Sequence, residues 1–423
     1  ENKSVSGKMN ILFILFIILC VYKSYFFKDN NCRIIRMKQH QKKSIPTLIL
    51  ILITSITVQA ETSDLSKKID SLFGDRSEKP GCAVGVIENG EYIHSEGYGL
   101  ANLEHEIPIG KDTIFRIGSV SKQFTTMAIA ILEEKGQLSF DDEMKTHIPG
   151  LIDYGEEVTI NHMIHHYSGL GDYEYMDYPG RFKNAVGEEF RWGNEDYLTN
   201  DEFHDLIKTL PLIRKPEKKF HYSNTGYVLL AIVAENASGM SLRKLAEKEI
   251  FNPLGMNNSF FNDDVNLPFK NRADAYTPIK EGSNDYKINV TNLSWIGDGG
   301  VYTSLNDFIK WDQNFYENKL GNGNESLIQT MEMTFEETKA IKRNQKMDKE
   351  KENENTYAFA QNLAYYNGYK RWSHSGSWVG WLAHYARFPD LGFSTVVFCN
   401  TNEIDATVIA DKVVDIYFKT KEK

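Results

Sequence analysis

The chain has 423 residues, of which 41% are hydrophobic and 25% charged, and its formal net charge is −10. That balance is ordinary for a soluble globular protein of one or two domains. Its acidity argues against nucleic acid and anionic membrane as partners, and says little about a small substrate.

The N-terminus departs from this composition. Ile11 to Tyr22 is an apolar run of 12, short of the roughly 20 helical residues that span a bilayer. A second run lies between Ile45 and Val58. From Met37 the order is a basic stretch, that apolar run, and Val-Gln-Ala60 before Glu61, the pattern of a secretory signal. Residues 37–60 are therefore read as a signal peptide cleaved near Ala60, and 1–36 as an upstream or non-mature segment. Neither Cys20 nor Cys32 follows the small-residue pattern of a lipoprotein signal. The alternative is a membrane anchor, which requires the 45–58 segment to stay uncleaved. Residues 1–60 carry nine basic and two acidic groups, so 39 basic and 56 acidic residues remain without them, a charge of −17. The expectation is an exported protein, periplasmic or extracellular.

Cys82 to Glu88, the Asn89-Gly90 turn and Glu91 to Tyr98 read as a β-hairpin. Next comes Phe115-Arg-Ile-Gly-Ser-Val-Ser-Lys-Gln-Phe124, followed by the apolar run Met127 to Leu132. A serine in the first turn of that helix sits where free N–H groups favour developing negative charge. The residue three further on shares its face, which brings Lys122 to Ser119. Partial burial turns a lysine amine into a proton acceptor near neutral pH, so the pair reads as nucleophile and base. Ser241 and Lys244 repeat the spacing, but there the serine reads as the N-cap of a solvated helix.

Two later motifs give the pair its meaning. Tyr222 and Asn224, in Phe220-His-Tyr-Ser-Asn-Thr-Gly-Tyr227, stand just before the apolar stretch Val228 to Val233. His374-Ser375-Gly376 lies within Trp372 to Trp378, in the place of a Lys-Thr-Gly strand. Tyr316-Glu-Asn318, Tyr365-Tyr-Asn367 and Lys319-Leu-Gly321 match the bare patterns without opening an apolar helix or lying on a strand followed by a hairpin. With three elements in order, residues 75 to 420 resemble the serine β-lactamase and penicillin-binding-protein superfamily, in its class C β-lactamase, DD-peptidase, D-aminopeptidase and esterase branch. Asn161 to Leu170 and Gly297 to Phe308 are similar to the family as well.

Lys370 to Ser373, Trp381 to Phe388 and Phe393 to Cys399 add three strands to the first hairpin. Asp405 to Phe418 has the apolar spacing of a covering helix. The expected fold is therefore α+β, a five-stranded antiparallel sheet flanked by helices. Its α/β part comprises about 61–118 and 290–423, and a mostly helical part, 119–289, is inserted. The mixed-charge run 336–354 reads as a solvated loop or frayed helix. In the resembling fold the first and last strands are neighbours, which makes an oxidised Cys82–Cys399 pair geometrically open, although two buried free thiols are the expectation.

The resemblance implies acyl transfer. Ser119 attacks a carbonyl, Lys122 accepts its proton, and Tyr222 relays a proton to the leaving group, with the choice between Lys122 and Tyr222 as principal base left open. The backbone N–H groups of Ser119 and Ser377 would hold the oxyanion, and Asn224 a substrate carbonyl. His374, Ser375 and Gly376 would line the pocket, and His374, if cationic, could meet a substrate carboxylate, a merely structural histidine being the alternative. Histidine there is closer to DD-peptidases and D-amino-acid peptidases than to class C β-lactamases, which usually carry lysine. The reading is a serine hydrolase of small-molecule or peptide substrates without cofactor. A class C-type β-lactamase and a catalytically weak penicillin-recognising module are the alternatives. His162, His165 and His166 have a spacing compatible with zinc, but no glutamate stands where a zinc hydrolase needs one, and they are taken as structural.

Overall fold

In the computed structural model the described residues are 63–421, apart from 175–176, 179–192, 194–195 and 343–355. The expected leader (1–36 and 37–60) and most of the charged run lie outside them. Helix α1 (63–70) precedes β1 (Cys82–Glu88) and β2 (Glu91–Tyr98), which pair antiparallel as expected. Asn89 and Gly90 both have positive φ, 52° and 79°, the geometry of a two-residue primed turn. Short strands β3 (Leu100–Asn102), β4 (Ile107–Pro108) and β5 (Phe115–Arg116) lead to a 3-10 turn, Gly118–Ser121, and to α2 (Lys122–Glu134).

The helical part continues with α3 (Ile160–Ile164), α4 (Asn200–Ile207), α5 (Asn224–Ser238), α6 (Leu242–Ala246) and α7 (Asn252–Leu254). Ser241 caps α6 by accepting from the Lys244 N–H, so the second Ser-x-x-Lys is a cap. This part is not purely helical. It also holds β6 (Phe260–Phe261) and the hairpin β7 (Ala275–Pro278) with β8 (Tyr286–Asn289). Strand β6 joins β5 and β9 (Val301–Thr303) in a three-stranded sheet, tying the helical part to the lead-in of Ser119. Helices α8 (Leu305–Asn314), α9 (Glu325–Met331) and α10 (Phe335–Lys342) follow; α10 opens the charged run.

The chain closes with β10 (Thr356–Tyr357), β11 (Asn362–Tyr366), β12 (Tyr369–Trp378), β13 (Trp381–Phe388), β14 (Phe393–Cys399) and α11 (Ala406–Lys421). The main sheet has the order β10-β11-β12-β13-β14-β1-β2, seven strands and not five. All five expected strands are present. The two more are added at the β12 edge, across an Asn367-Gly368 turn with φ of 50° and 82°, a hairpin signal overlooked beside so short a strand.

Alternation along β1 sorts its side chains between two cores. Val84 and Val86 pack with Leu65, Ile69, Val397, Val413 and Val414 under α1 and α11. Ala83 and Ile87 face Phe398, Phe115 and the helical part. Cys82 and Cys399 stand directly opposite in the antiparallel register and form a disulfide. The expectation of free thiols is thereby corrected: strand neighbourhood, invisible in residue spacing, puts two cysteines 317 residues apart in contact.

Candidate active site

The site lies where the 3-10 turn before α2, the N-terminus of α5 and the end of β12 converge on a cleft of about 410 Å³. Residues Ile160–Ile164 and 166–172 buttress it from behind. The apolar run of α2 is buried from Lys122 to Leu132, which anchors the turn carrying Ser119 at its edge. Lys122 Nζ is fully buried and donates to Ser119 Oγ (3.0 Å), to Asn224 Oδ1 (2.6 Å) and to the Asp298 carbonyl. Burial is complete where the sequence suggested it was partial.

Ser223 caps α5, its Oγ accepting from the Gly226 N–H, and this cap projects Tyr222 and Asn224 toward Lys122. The Asn224 N–H donates to Asp172 Oδ2 at 2.9 Å, and Lys122 Nζ lies 5.1 Å from the Tyr222 ring centre. The Tyr222 hydroxyl is buried and makes no well-aligned hydrogen bond. Burial raises its pKa, and only the nearby Lys122 and Ser119 oppose that shift. It is therefore a neutral phenol at neutral pH.

Two glycines bring together the backbone groups expected to hold an oxyanion. Gly118 has φ +50°, and a Cβ there would lie 2.5 Å from the Ser377 nitrogen. A Cβ on Gly376 would lie 2.0 Å from the Ile117 carbonyl oxygen and 3.0 Å from the Ser119 nitrogen. Only residues without side chains allow the turn and β12 to touch, and the touch places the Ser119 and Ser377 backbone groups side by side. Ser375 and Ser377 also line the cleft.

His374 lines it too, but not as a cation. Burial first, and the Lys122 charge next, push its pKa down to about 3. Its Nδ1–H donates to the Ser375 carbonyl, so Nε2 accepts from the Tyr357 hydroxyl at 3.0 Å. The condition attached to a carboxylate-binding role, that His374 be cationic, is therefore not met: the sequence shows a histidine, and only the packing shows how little of it remains exposed. Of the tryptophans on β12 and β13, Trp372 and Trp381 are core while Trp378 lines the cleft.

The histidine triplet braces the site. His162 Nδ1 accepts from the Thr159 N–H (3.2 Å) and its Nε2 meets Glu217 (3.1 Å). The ring of His165 lies between the carbonyls of Asn161 and Met333. His166 Nδ1 accepts from the Ser223 N–H at 3.1 Å, and its ring packs 4.3 Å from that of Tyr222.

Several cleft residues went unrecognised in the sequence. Arg116 was inside the quoted motif and Asp298 inside Gly297–Phe308, without a role. Glu174 and Trp295 carried no signal, and Tyr357 and Asn362 came with the unforeseen strands. Tyr173 donates to Asp298 Oδ2 at 2.6 Å, and Trp295 Nε1 donates to the Tyr173 hydroxyl. Burial raises Asp172 to about 6, and burial with Asp298 and Asp172 nearby raises Glu174 to about 7. Among the described residues no cluster could hold a metal ion.

Residues 69–416 match the protein family described as Beta-lactamase. The chain is similar to penicillin-binding protein 4* of Bacillus subtilis, 30% identical over 59% of this chain and 56% of that protein. It is also similar to a D-aminopeptidase of Gluconobacter oxydans, 26% identical over 76% of this chain and 56% of that protein. It thus spans little more than half the length of these two relatives. Among solved structures, the octameric penicillin-binding protein homologue from Pyrococcus abyssi superposes with a TM-score of 0.68 at 27% identity, covering 80% of this chain and 74% of that one.

Proposed function

The chain belongs to the Beta-lactamase family, and on that premise we propose that it is an exported serine hydrolase acting through a Ser119 acyl-enzyme on amides or esters of D-amino-acid peptides and related acyl compounds. One observation carries the reading: a fully buried lysine amine bonded to a partly buried serine hydroxyl at 3.0 Å, with a neutral phenol beside both. Export rests on the leader-like order of residues 37–60.

Ser119 Oγ attacks the carbonyl carbon as its proton passes to Lys122, and the carbonyl oxygen turns toward the Ser119 and Ser377 N–H groups. Each such donor contributes about 3 kcal/mol in comparable sites. Collapse breaks the bond to the leaving nitrogen or oxygen, which takes a proton through the Tyr222 hydroxyl. Water then repeats the sequence in reverse on the ester. Asn224, held by Lys122 and by the Asp172 cap, presents its amide N–H to the substrate carbonyl. A neutral His374 in the Lys-Thr-Gly position removes the cation a β-lactamase reading would draw on, and so favours a peptidase or esterase.

The test is an intact-mass time course of wild type and Ser119→Ala with benzylpenicillin, a D-alanyl-D-alanine peptide, a D-amino-acid amide and an aryl ester, following protein and reagents together. The expected result is Ser119-dependent cleavage of the peptide, amide or ester. Rapid penicillin consumption with only a fleeting adduct would instead make it a β-lactamase. No Ser119-dependent chemistry with any reagent would leave a non-catalytic binder.

A further inference from the structure

Strand β5 points Phe115 and Ile117 into the core and Arg116 the other way, into the cleft. Arg116 is only 5% exposed, and its guanidinium carbon sits 4.5 Å from the centre of the Trp378 ring. Its Nε is buried without a hydrogen-bond partner, and among the described residues no carboxylate pairs with it. Arg387 shows what the fold does with a buried arginine elsewhere. It is 1% exposed and also lies over a ring, that of Phe315 at 4.1 Å, but Glu332 meets its Nη2 at 2.6 Å.

A guanidinium carries its charge at every pH a folded protein meets and offers a planar fork of donors. Burying one without a counter-ion is unfavourable unless something else supplies the anion. Stacking on Trp378 offsets part of that and fixes the plane of the fork. Two carboxyls line the cleft with it, and both are engaged by Tyr173: Asp298 accepts from its hydroxyl at 2.6 Å, and Glu174 Oε1 lies 3.2 Å from the same hydroxyl. Arg116 stands three residues before Ser119, and Trp378 directly follows Ser377. The two segments that furnish the oxyanion donors thus also furnish the arginine and its platform.

We propose that Arg116 is the anion-recognition residue of this cleft, its guanidinium receiving a carboxylate of the substrate in a bidentate pair while Trp378 holds its plane. The proposal rests on the hydrolase reading and narrows it to acyl compounds that bear a carboxylate near the reacting carbonyl.

The experiment separates binding from turnover. N-acetyl-D-alanyl-D-alanine amide is the uncharged probe. The corresponding C-terminal acid, and the N-succinyl peptide amide, each add one carboxylate at one end. Binding of all three is measured by tryptophan fluorescence on Ser119→Ala, and on Ser119→Ala combined with Arg116→Gln or Arg116→Lys, after circular dichroism has shown each variant folded. One of the two charged probes should bind Ser119→Ala roughly 10- to 100-fold tighter than the uncharged one. Gln should abolish that preference, Lys should keep part of it, and affinity for the uncharged probe should not change. Equal binding of all probes, no binding of any, or a preference that survives Arg116→Gln overturns the proposal. Failure of the hydrolase reading is read separately, as absence of Ser119-dependent cleavage in wild type.

Discussion

The sheet face under α1 and α11 and the cleft at the edge of β12 are both buried, but with opposite contents. The first packs Val84, Val86, Val397, Val413 and Val414 around a disulfide. The second is lined by Arg116, Glu174, Asp298 and His374, with Lys122 buried beside Ser119. Burying aliphatic side chains is favourable in itself, whereas burying charge needs compensation from partners or ligand. The sheet face thus accounts for stability and the cleft for chemistry, and substitutions in the two should separate along that line.

The largest effect is expected at Lys122. Lys122→Met should lower kcat/KM at least about 1000-fold, some 4 kcal/mol of barrier, with the secondary structure intact by circular dichroism. Activity within tenfold of wild type would move the general base elsewhere and break the contrast.

Next is the disulfide. The double substitution of Cys82 and Cys399 by alanine should lower unfolding free energy by about 3 kcal/mol in urea titrations, with kcat unchanged below the new melting range. A matching loss of activity would mean that the sheet face and the cleft are coupled.

The smallest effect concerns Glu174. Its folded pKa, about 7, is raised above the carboxylate's usual 4.5, so between these values the folded state binds more protons than the unfolded one. Stability from this group therefore falls as pH rises from about 4.5 to 7. Glu174→Gln should gain stability over wild type by about 1 kcal/mol at pH 7.5 and not at pH 4. Parallel stability curves for the two proteins would place that carboxyl in open water and blur the boundary of the cleft.

Where the physics is local, the sequence was legible. Helical spacing put Lys122 on Ser119, the Asn89-Gly90 turn marked the first hairpin, and the Tyr222 to Asn224 stretch preceded an apolar helix that now carries both side chains inward. It was not legible where contact joins distant segments. Strands β10 and β11 are too short to show a period, the cysteine pair depends on which strands are neighbours, and the charge state of His374 depends on burial beside the remote Tyr222 and Tyr357 and on the nearby Lys122.

By itself, then, the order of residues determined the proposed nucleophile, its neighbouring amine and the helices beside them, because hydrogen-bonding and side-chain periods act over a few positions. Tertiary structure alone decided that Gly118 meets Gly376, that His374 is neutral and that Arg116 lies buried with no counter-ion among the described residues. Each of these depends on desolvation and close approach, which exist only after remote segments have packed.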